Sequence, residues 1–155
     1  MAVSFPASFA QRRLWFIQRM SPASTAYNMV VKLSLPFRLD RQVLRSALDD
    51  LATRHEGLTT RFDFEVGDVV QIVGADGAIP MDVREAASAE EFDRIFSHAA
   101  SQPFDLTEGP LIRVIFGEPS SLGFVMHHAI ADGHSVQILL EDLNALYKAL
   151  SLIHI

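Results

Sequence analysis

The stretch from Ser88 to Ala99 sets the terms for the fold. Ser88 is followed three residues later by Glu91, a capping box, and Phe92, Ile95, Phe96 and Ala99 then recur at i, i+3, i+4 and i+7, the period of an amphipathic helix. A helix with so aromatic a stripe has to bury it against another element. Three further segments show helical spacing. Ser8 with Gln11 caps residues 8–20, which place Leu14, Trp15, Ile17 and Gln18 on one face. Asp40 caps a second helix carrying Val43, Leu44, Ala47, Leu48 and Leu51, expected to stop near His55, before Gly57. The last runs from about Ser135 to Leu150, with Ile138, Leu139, Leu143, Leu146, Tyr147 and Leu150 expected on its buried face.

Between the helices lie runs with strand character. Tyr27–Leu35 alternates loosely until Pro36 ends it, and Thr59–Glu65 with Val69–Val73 reads as a hairpin turning around Gly67-Asp68. A loop is expected from there to the Ser88 cap. Leu111–Phe116 and Leu122–His127 form two more strands joined by Gly117-Glu118-Pro119-Ser120-Ser121. Helices and strands mix without strict βαβ alternation. The expectation is an α/β chain of the α+β kind, helices packed on a mixed β-sheet. Residues 1–150 are read as one lobe. Ser151–Ile155 has no C-cap signal, and residues 151–155 are expected to be a truncated or non-native tail.

Bulk properties exclude several function classes. A net charge of −6 over 155 residues and a pI of about 5.4 disfavour nucleic acid, whose phosphates call for clustered Lys and Arg. No apolar run approaches the roughly 20 residues of a membrane span, and the first residues show no basic region followed by an apolar stretch and a small-residue cleavage site. A cytoplasmic protein is expected. The absence of cysteine removes disulfides, thiol nucleophiles and Cys-ligated metals. Chemistry must then come from His, Asp, Glu, Ser or the backbone.

The run His127-His128-Ala129-Ile130-Ala131-Asp132-Gly133 supplies the strongest candidate. It sits where an apolar strand ends and a helix is about to begin. Imidazole titrates near neutral pH, so a histidine held there can take a proton from an attacking amine or stabilise the charge that develops on it. Adjacent strand residues point to opposite faces. His127 is therefore read as a hydrogen-bonded core residue and His128 as the chemical one. Asp132 can fold back to hold the turn, and Gly133 is expected to supply a backbone conformation that other residues resist. A metal held by His127, His128, Asp132 and His134 is disfavoured, because neighbouring strand side chains diverge. No nucleophile elbow, Walker-type loop or dinucleotide fingerprint occurs.

His-His-x-x-x-Asp-Gly is shared by an acyltransferase superfamily that includes chloramphenicol acetyltransferase and the condensation domains of nonribosomal peptide synthetases. Three further segments resemble condensation domains in particular. They are Ser8-Phe9-Ala10-Gln11-Arg12-Arg13-Leu14-Trp15-Phe16, then Arg54-His55-Glu56-Gly57-Leu58-Thr59-Thr60-Arg61-Phe62, and then Pro103-Phe104-Asp105-Leu106 with Gly109-Pro110-Leu111. Thr59 stands where the family usually has Arg. His134 stands where peptide-elongating members commonly have Trp, while Ser135 is retained. The Ser135-Val136 pair lacks the Trp typical of epimerization domains, and heterocyclization domains replace the histidines.

The resemblance implies a chloramphenicol acetyltransferase-like N-terminal lobe, with a C-terminal lobe still to complete the cleft. It implies amide formation between a peptidyl or acyl thioester on one carrier protein and an aminoacyl amine on another. Both substrates would ride on phosphopantetheine arms, with no cofactor bound directly. His128 would stand at the reacting centre, as general base or as positioning group. His127, Asp132, Gly133 and Ser135 would support it. Two other readings stay open, an acyltransferase of the same superfamily using coenzyme A thioesters, and a non-catalytic carrier-docking lobe. Arg12 and Arg19 share one face of the first helix, either as ordinary solvated side chains or as a strip for an acidic carrier protein.

Overall fold

The computed structural model describes residues 2–74 and 77–153. In chain order its elements are β1 (Val3–Pro6), α1 (Phe9–Met20), β2 (Asn28–Ser34), α2 (Arg41–Arg54), a 3₁₀ turn (Glu56–Thr59), β3 (Arg61–Glu65), β4 (Asp68–Val73), β5 (Met81–Glu85), α3 (Ala89–Ala100), β6 (Ile112–Glu118), β7 (Ser121–His127) and α4 (Gly133–Ile153). They form two sheets. One is three-stranded, ordered β1-β4-β3, and the other four-stranded, ordered β2-β7-β6-β5. The larger sheet is mixed, since β5 runs parallel to β6 while its other pairs are antiparallel. The expected α+β architecture with helices on a mixed sheet is what the chain adopts, with a second, smaller sheet beside it.

Alternation along β6 and β7 divides the core in two. Ile112, Val114 and Phe116 of β6 and Leu122, Phe124 and Met126 of β7 face α2 and α4, where Leu44, Leu48, Leu51, Leu139 and Leu143 cover them. Ile115 and Val125 face the other way, toward Trp15 of α1, Phe92 and Phe96 of α3, and Phe62 and Val69 of the small sheet. A strand covered on both faces needs apolar residues at nearly every position, which is why Leu122–Met126 reads as an unbroken apolar run. The stripe on α3 lands where the sheet surface is flattest. Phe92 and Phe96 stack at 5.9 Å over Gly117 and Gly123, whose missing side chains leave room for the rings.

The starts of α1, α2 and α3 follow the sequence signals, whereas α4 begins at Gly133, ahead of the expected Ser135. Ser8 Oγ accepts from Gln11 N at 3.1 Å and Gln11 Oε1 accepts from Ser8 N at 2.8 Å, a complete capping box. Asp40 accepts from Val43 N. At α3 the box is shifted: Ser88 Oγ accepts from Glu91 N, but Glu91 reaches past the cap to Ala87 N.

Several details differ from expectation. The stretch between the hairpin and Ser88 contains β5. Its Asp82, Arg84 and Glu85 hide a strand signal, because β5 is an edge strand. β1 was likewise unmarked. Thr59 and Thr60 belong to the 3₁₀ turn and its end rather than to a strand, since Leu58 is buried there and both hydroxyls donate to Glu56 O. The β3–β4 turn is Val66-Gly67, one residue earlier than read, with φ of 50° and 79°. Positive φ at both central positions is the hairpin geometry that matches strand twist, here imposed on a β-branched residue that disfavours it.

The link between β6 and β7 is only Pro119-Ser120, as both strands extend into the expected loop. Ile138 is 39% exposed rather than buried. α4 continues past Leu150 through Ile153, with Ser151 Oγ donating to Tyr147 O; of the expected tail, residues 154–155 lie outside the described residues. Among the described residues no helix is long and apolar enough to cross a membrane.

Candidate active site

β7 is a central strand, and its last residue is His127. The chain then turns through residues 128–130 and enters α4 at Gly133. The ends of central strands are where a sheet presents side chains while its own hydrogen bonds hold the backbone. This turn is held at four points. His128 N donates to Tyr27 O at 2.9 Å, Ile130 N to His127 O at 3.1 Å, Ala129 N to His127 Nδ1 at 3.0 Å, and Gln11 Nε2 to Ala129 O at 3.2 Å.

The two histidines part company as strand alternation requires. His127 is 1% exposed and both ring nitrogens are engaged, Nδ1 by Ala129 N and Nε2 by Gln18 Oε1 at 3.2 Å. Burial, with a smaller contribution from His128, pushes its pKa down to about 4. A buried imidazolium loses its hydration, so the neutral form wins. His128 is exposed. Its ring stands edge-on to Tyr27, with centroids 6.4 Å apart.

Asp132 is the N-cap of α4. Its Oδ1 accepts from Ser135 N and Ser135 Oγ, both at 2.8 Å, and Ser135 Oγ in turn accepts from Asp132 N at 2.8 Å. These bonds, the backbone N–H of Ser135 first and its hydroxyl second, hold the Asp132 carboxyl below the usual aspartate range. Gly133 differs from expectation. It lies in the first turn of the helix, it is not among the positive-φ residues, and a Cβ there would meet nothing within 4 Å. Neither backbone conformation nor packing inside this chain requires glycine at 133. As a first-turn residue it has a backbone N–H with no intrahelical acceptor.

The segments singled out by sequence gather around this turn. Gln11, Trp15 and Gln18 come from α1; Phe104 sets its ring edge-on to His127 at 6.2 Å, with the Arg113 guanidinium 3.9 Å above its face. A cleft of about 310 Å³ opens between Trp15, Gln18, Arg19, Phe104 and Asp105. On the other side, Arg54, His55, Gly57, Ile130, Ser135 and Ile138 line a second cleft of about 390 Å³. That accounts for the exposure of Ile138. His55 Nε2 meets Asp142 Oδ2 at 2.7 Å, tying the end of α2 to α4 beside it. Thr59 uses its hydroxyl locally, on Glu56 O.

His127, His128, Asp132 and His134 do not come together as a metal-holding cluster, and no group of three or more His, Cys, Asp or Glu does so among the described residues. Of the two α1 arginines proposed as a docking strip, Arg12 pairs with Asp68 at 3.0 Å and Arg19 lies 5.5 Å from the Trp15 ring. Sequence reasoning missed Tyr27 and the contact of Gln18 with His127. A glutamine on the apolar face of a capped helix was the available signal, since a buried amide needs a partner.

The family model described as Condensation domain matches residues 1–152. This chain belongs to the condensation-domain family. Condensation domains are an acyltransferase family of nonribosomal peptide synthetases, in line with the resemblance read from the motif and its flanking segments. Chondramide synthase cmdD of Chondromyces crocatus is 39% identical over 94% of this chain. The dimodular nonribosomal peptide synthase of Bacillus subtilis (strain 168) is 40% identical over 93%. The chain spans only 4% and 6% of those two proteins. The starter condensation domain of rhizomide synthetase has the same fold at 23% identity, with a TM-score of 0.85 over 96% of this chain and 38% of that one. A four domain nonribosomal peptide synthetase bound to AMP and glycine superposes with a TM-score of 0.78 at 25% identity, over 94% of this chain and 12% of that one.

Proposed function

We propose that this condensation-domain chain provides the histidine-bearing wall of a site that forms amide bonds in nonribosomal peptide synthesis. In the reaction, the amine of an aminoacyl group on one carrier protein attacks the thioester carbonyl of a peptidyl or acyl group on another. The C–N bond forms, the C–S bond breaks, and the thiol of the donor phosphopantetheine arm leaves. The proton shed by the amine passes, by way of a base or water, to the departing sulfur. The observation that carries this reading is the exposed ring of His128 on a turn held by four hydrogen bonds, next to a His127 whose nitrogens are both occupied.

His128 is the group near the attacking amine, as base or as positioning group. A turn whose backbone is fixed by hydrogen bonds limits where the His128 ring can reach, and orientation alone accounts for much of the acceleration in a two-substrate reaction. Asp132 and Ser135 start α4 at a fixed point and so fix the far end of the turn. The unpaired N–H of Gly133 is available to a reacting oxygen, and the open space at its Cα lets a substrate approach. Carrier proteins upstream and downstream are the partners, and a second lobe, absent from these residues, forms the opposite wall. No cofactor is held directly.

In the complete domain with loaded carrier proteins, His128→Ala should remove or greatly reduce condensation product, measured by mass spectrometry of the acceptor carrier. Wild-type turnover in that variant refutes the reading. Consumption of a coenzyme A thioester in place of the carrier-bound donor would point to the coenzyme A-dependent relatives instead.

A further inference from the structure

Gln18 lies on the inner face of α1 and is 7% exposed. One end of its amide, Nε2, lies 3.1 Å from Ser24 O, 3.2 Å from Pro22 O and 3.4 Å from Ser21 O. Carbonyl oxygens only accept, so that end is the NH₂ group and the other is the oxygen. The oxygen faces His127 Nε2 at 3.2 Å. It has no hydrogen to give, so His127 Nε2 carries one. In the neutral ring Nδ1 is then a bare lone pair. Ala129 N donates to it at 3.0 Å.

Each assignment forces the next, from three loop carbonyls through Gln18 and His127 to the peptide N–H of Ala129. The opposite tautomer would set a ring N–H against the Ala129 N–H and break the turn between His127 and Ile130. The other side of the same residue is held from the same helix. Gln11, two turns before Gln18, is oriented by its capping bond from Ser8 N and donates to Ala129 O.

We infer that Gln18 is a positioning residue for the site: by fixing the tautomer of His127 it locks the turn that presents His128. The inference rests on His128 standing at the reacting centre. Gln18 touches no substrate in this arrangement; it acts through one ring and one peptide group. Its position far from His128 in sequence explains why the motif alone does not reveal it.

Nitrogen-resolved NMR of the imidazoles in the 155-residue chain tests the first link without any variant. His127 should carry its hydrogen on Nε2, with Nδ1 bare, and the reverse tautomer overturns the inference. Gln18→Met keeps the length of the side chain and removes both ends of the amide. Its His127 should show mixed tautomers, and in the complete domain kcat should fall about tenfold or more with KM changed less than about twofold. Gln18→Glu keeps an acceptor toward Nε2 and should retain the Nε2–H tautomer and recover part of kcat. A Gln18→Met protein with wild-type tautomer or wild-type kcat sinks the inference; if that variant does not fold, the wild-type spectrum and Gln18→Glu decide. Failure of the proposed function is separable, because condensation surviving in His128→Ala would leave the tautomer result untouched.

Discussion

Replacing Gly123 by alanine tests how tightly the sheet that carries the site is set by its contact with α3. A Cβ at 123 would lie 2.5 Å from both Cδ2 and Cε2 of Phe96 and 3.3 Å from Cζ of Phe92. Ordinary carbon contacts fall at about 3.5–4.0 Å, so the Phe96 ring must retreat by about 1 Å. It has nowhere to go. Phe96 is 6% exposed and Phe92 2%, and the rings are stacked within 11° of parallel. Overpacking of this kind costs about 1–3 kcal/mol, here at the upper end because one rigid ring takes two of the contacts. The backbone entropy saved by removing a strand glycine returns roughly 0.5–1 kcal/mol.

Gly123→Ala should therefore destabilise by about 2 kcal/mol and lower Tm by roughly 4–8 °C for a chain of this size. Thermal unfolding followed by circular dichroism gives the shift. Pairing it with Phe96→Ala supplies the control: if the clash is the cause, the double variant is more stable than the sum of the single losses by about 2 kcal/mol. A Tm within a degree of wild type, or additive losses in the cycle, refutes the argument that the ring and the glycine were fitted to each other.

Three other outcomes follow from the site. His127 stays neutral in the folded chain down to about pH 4, whereas an unfolded chain protonates it near 6.5; stability should fall as pH drops from about 6.5 to 4, by at most about 3 kcal/mol, and urea titrations of His127→Asn should lack that part of the slope. Ser135→Ala deletes one of the bonds that hold Asp132 ionised, so the carboxyl should titrate at higher pH by carbon-13 NMR; an unmoved titration argues against the cap. Asp142→Asn weakens the 2.7 Å contact with His55, and a Tm loss of roughly 2–4 °C, about 1 kcal/mol, is expected; no loss means that α2 and α4 are held by Leu48, Leu51, Leu139 and their neighbours alone.

The helices were legible because their signals are local. Ser8, Asp40 and Ser88 mark starts within three residues of the groups they cap. Strands with a buried face were legible for the same reason, as in Leu122–Met126. β1 and β5 were not, because each owes its extended shape to one neighbour: all four residues of β1 are exposed, and β5 half-buries only Met81 and Val83. Thr60 misled in the opposite direction. Its β-branched side chain suits a strand, but its hydroxyl is spent on Glu56 O in a turn fixed by buried Leu58.

At the site, alternation alone separated His127 from His128; Asp132 was read as holding the turn, and its bonds to Ser135 place it as the cap of α4. The roles of Gln18 and Tyr27 depend on partners about a hundred residues away, which no local pattern encodes. Gly133 shows the limit of reading a glycine from its type. The motif requires it, yet nothing within these residues does.

The order β2-β7-β6-β5 has a consequence for how the chain acquires its shape. Asn28 pairs with His127 and Ser34 with Ser121, so β2 has its one neighbour in the sheet in a strand synthesised only after α2, the small sheet, α3 and β6. Loops of that span close slowly. As the polypeptide leaves the ribosome, β2 and α2 emerge with their apolar faces largely uncovered until β7 slides between β2 and β6. The histidine turn is thus assembled at the moment the larger sheet closes, and a chain halted before Ser121 has only the β5–β6 pair of that sheet and no turn, a state that invites aggregation.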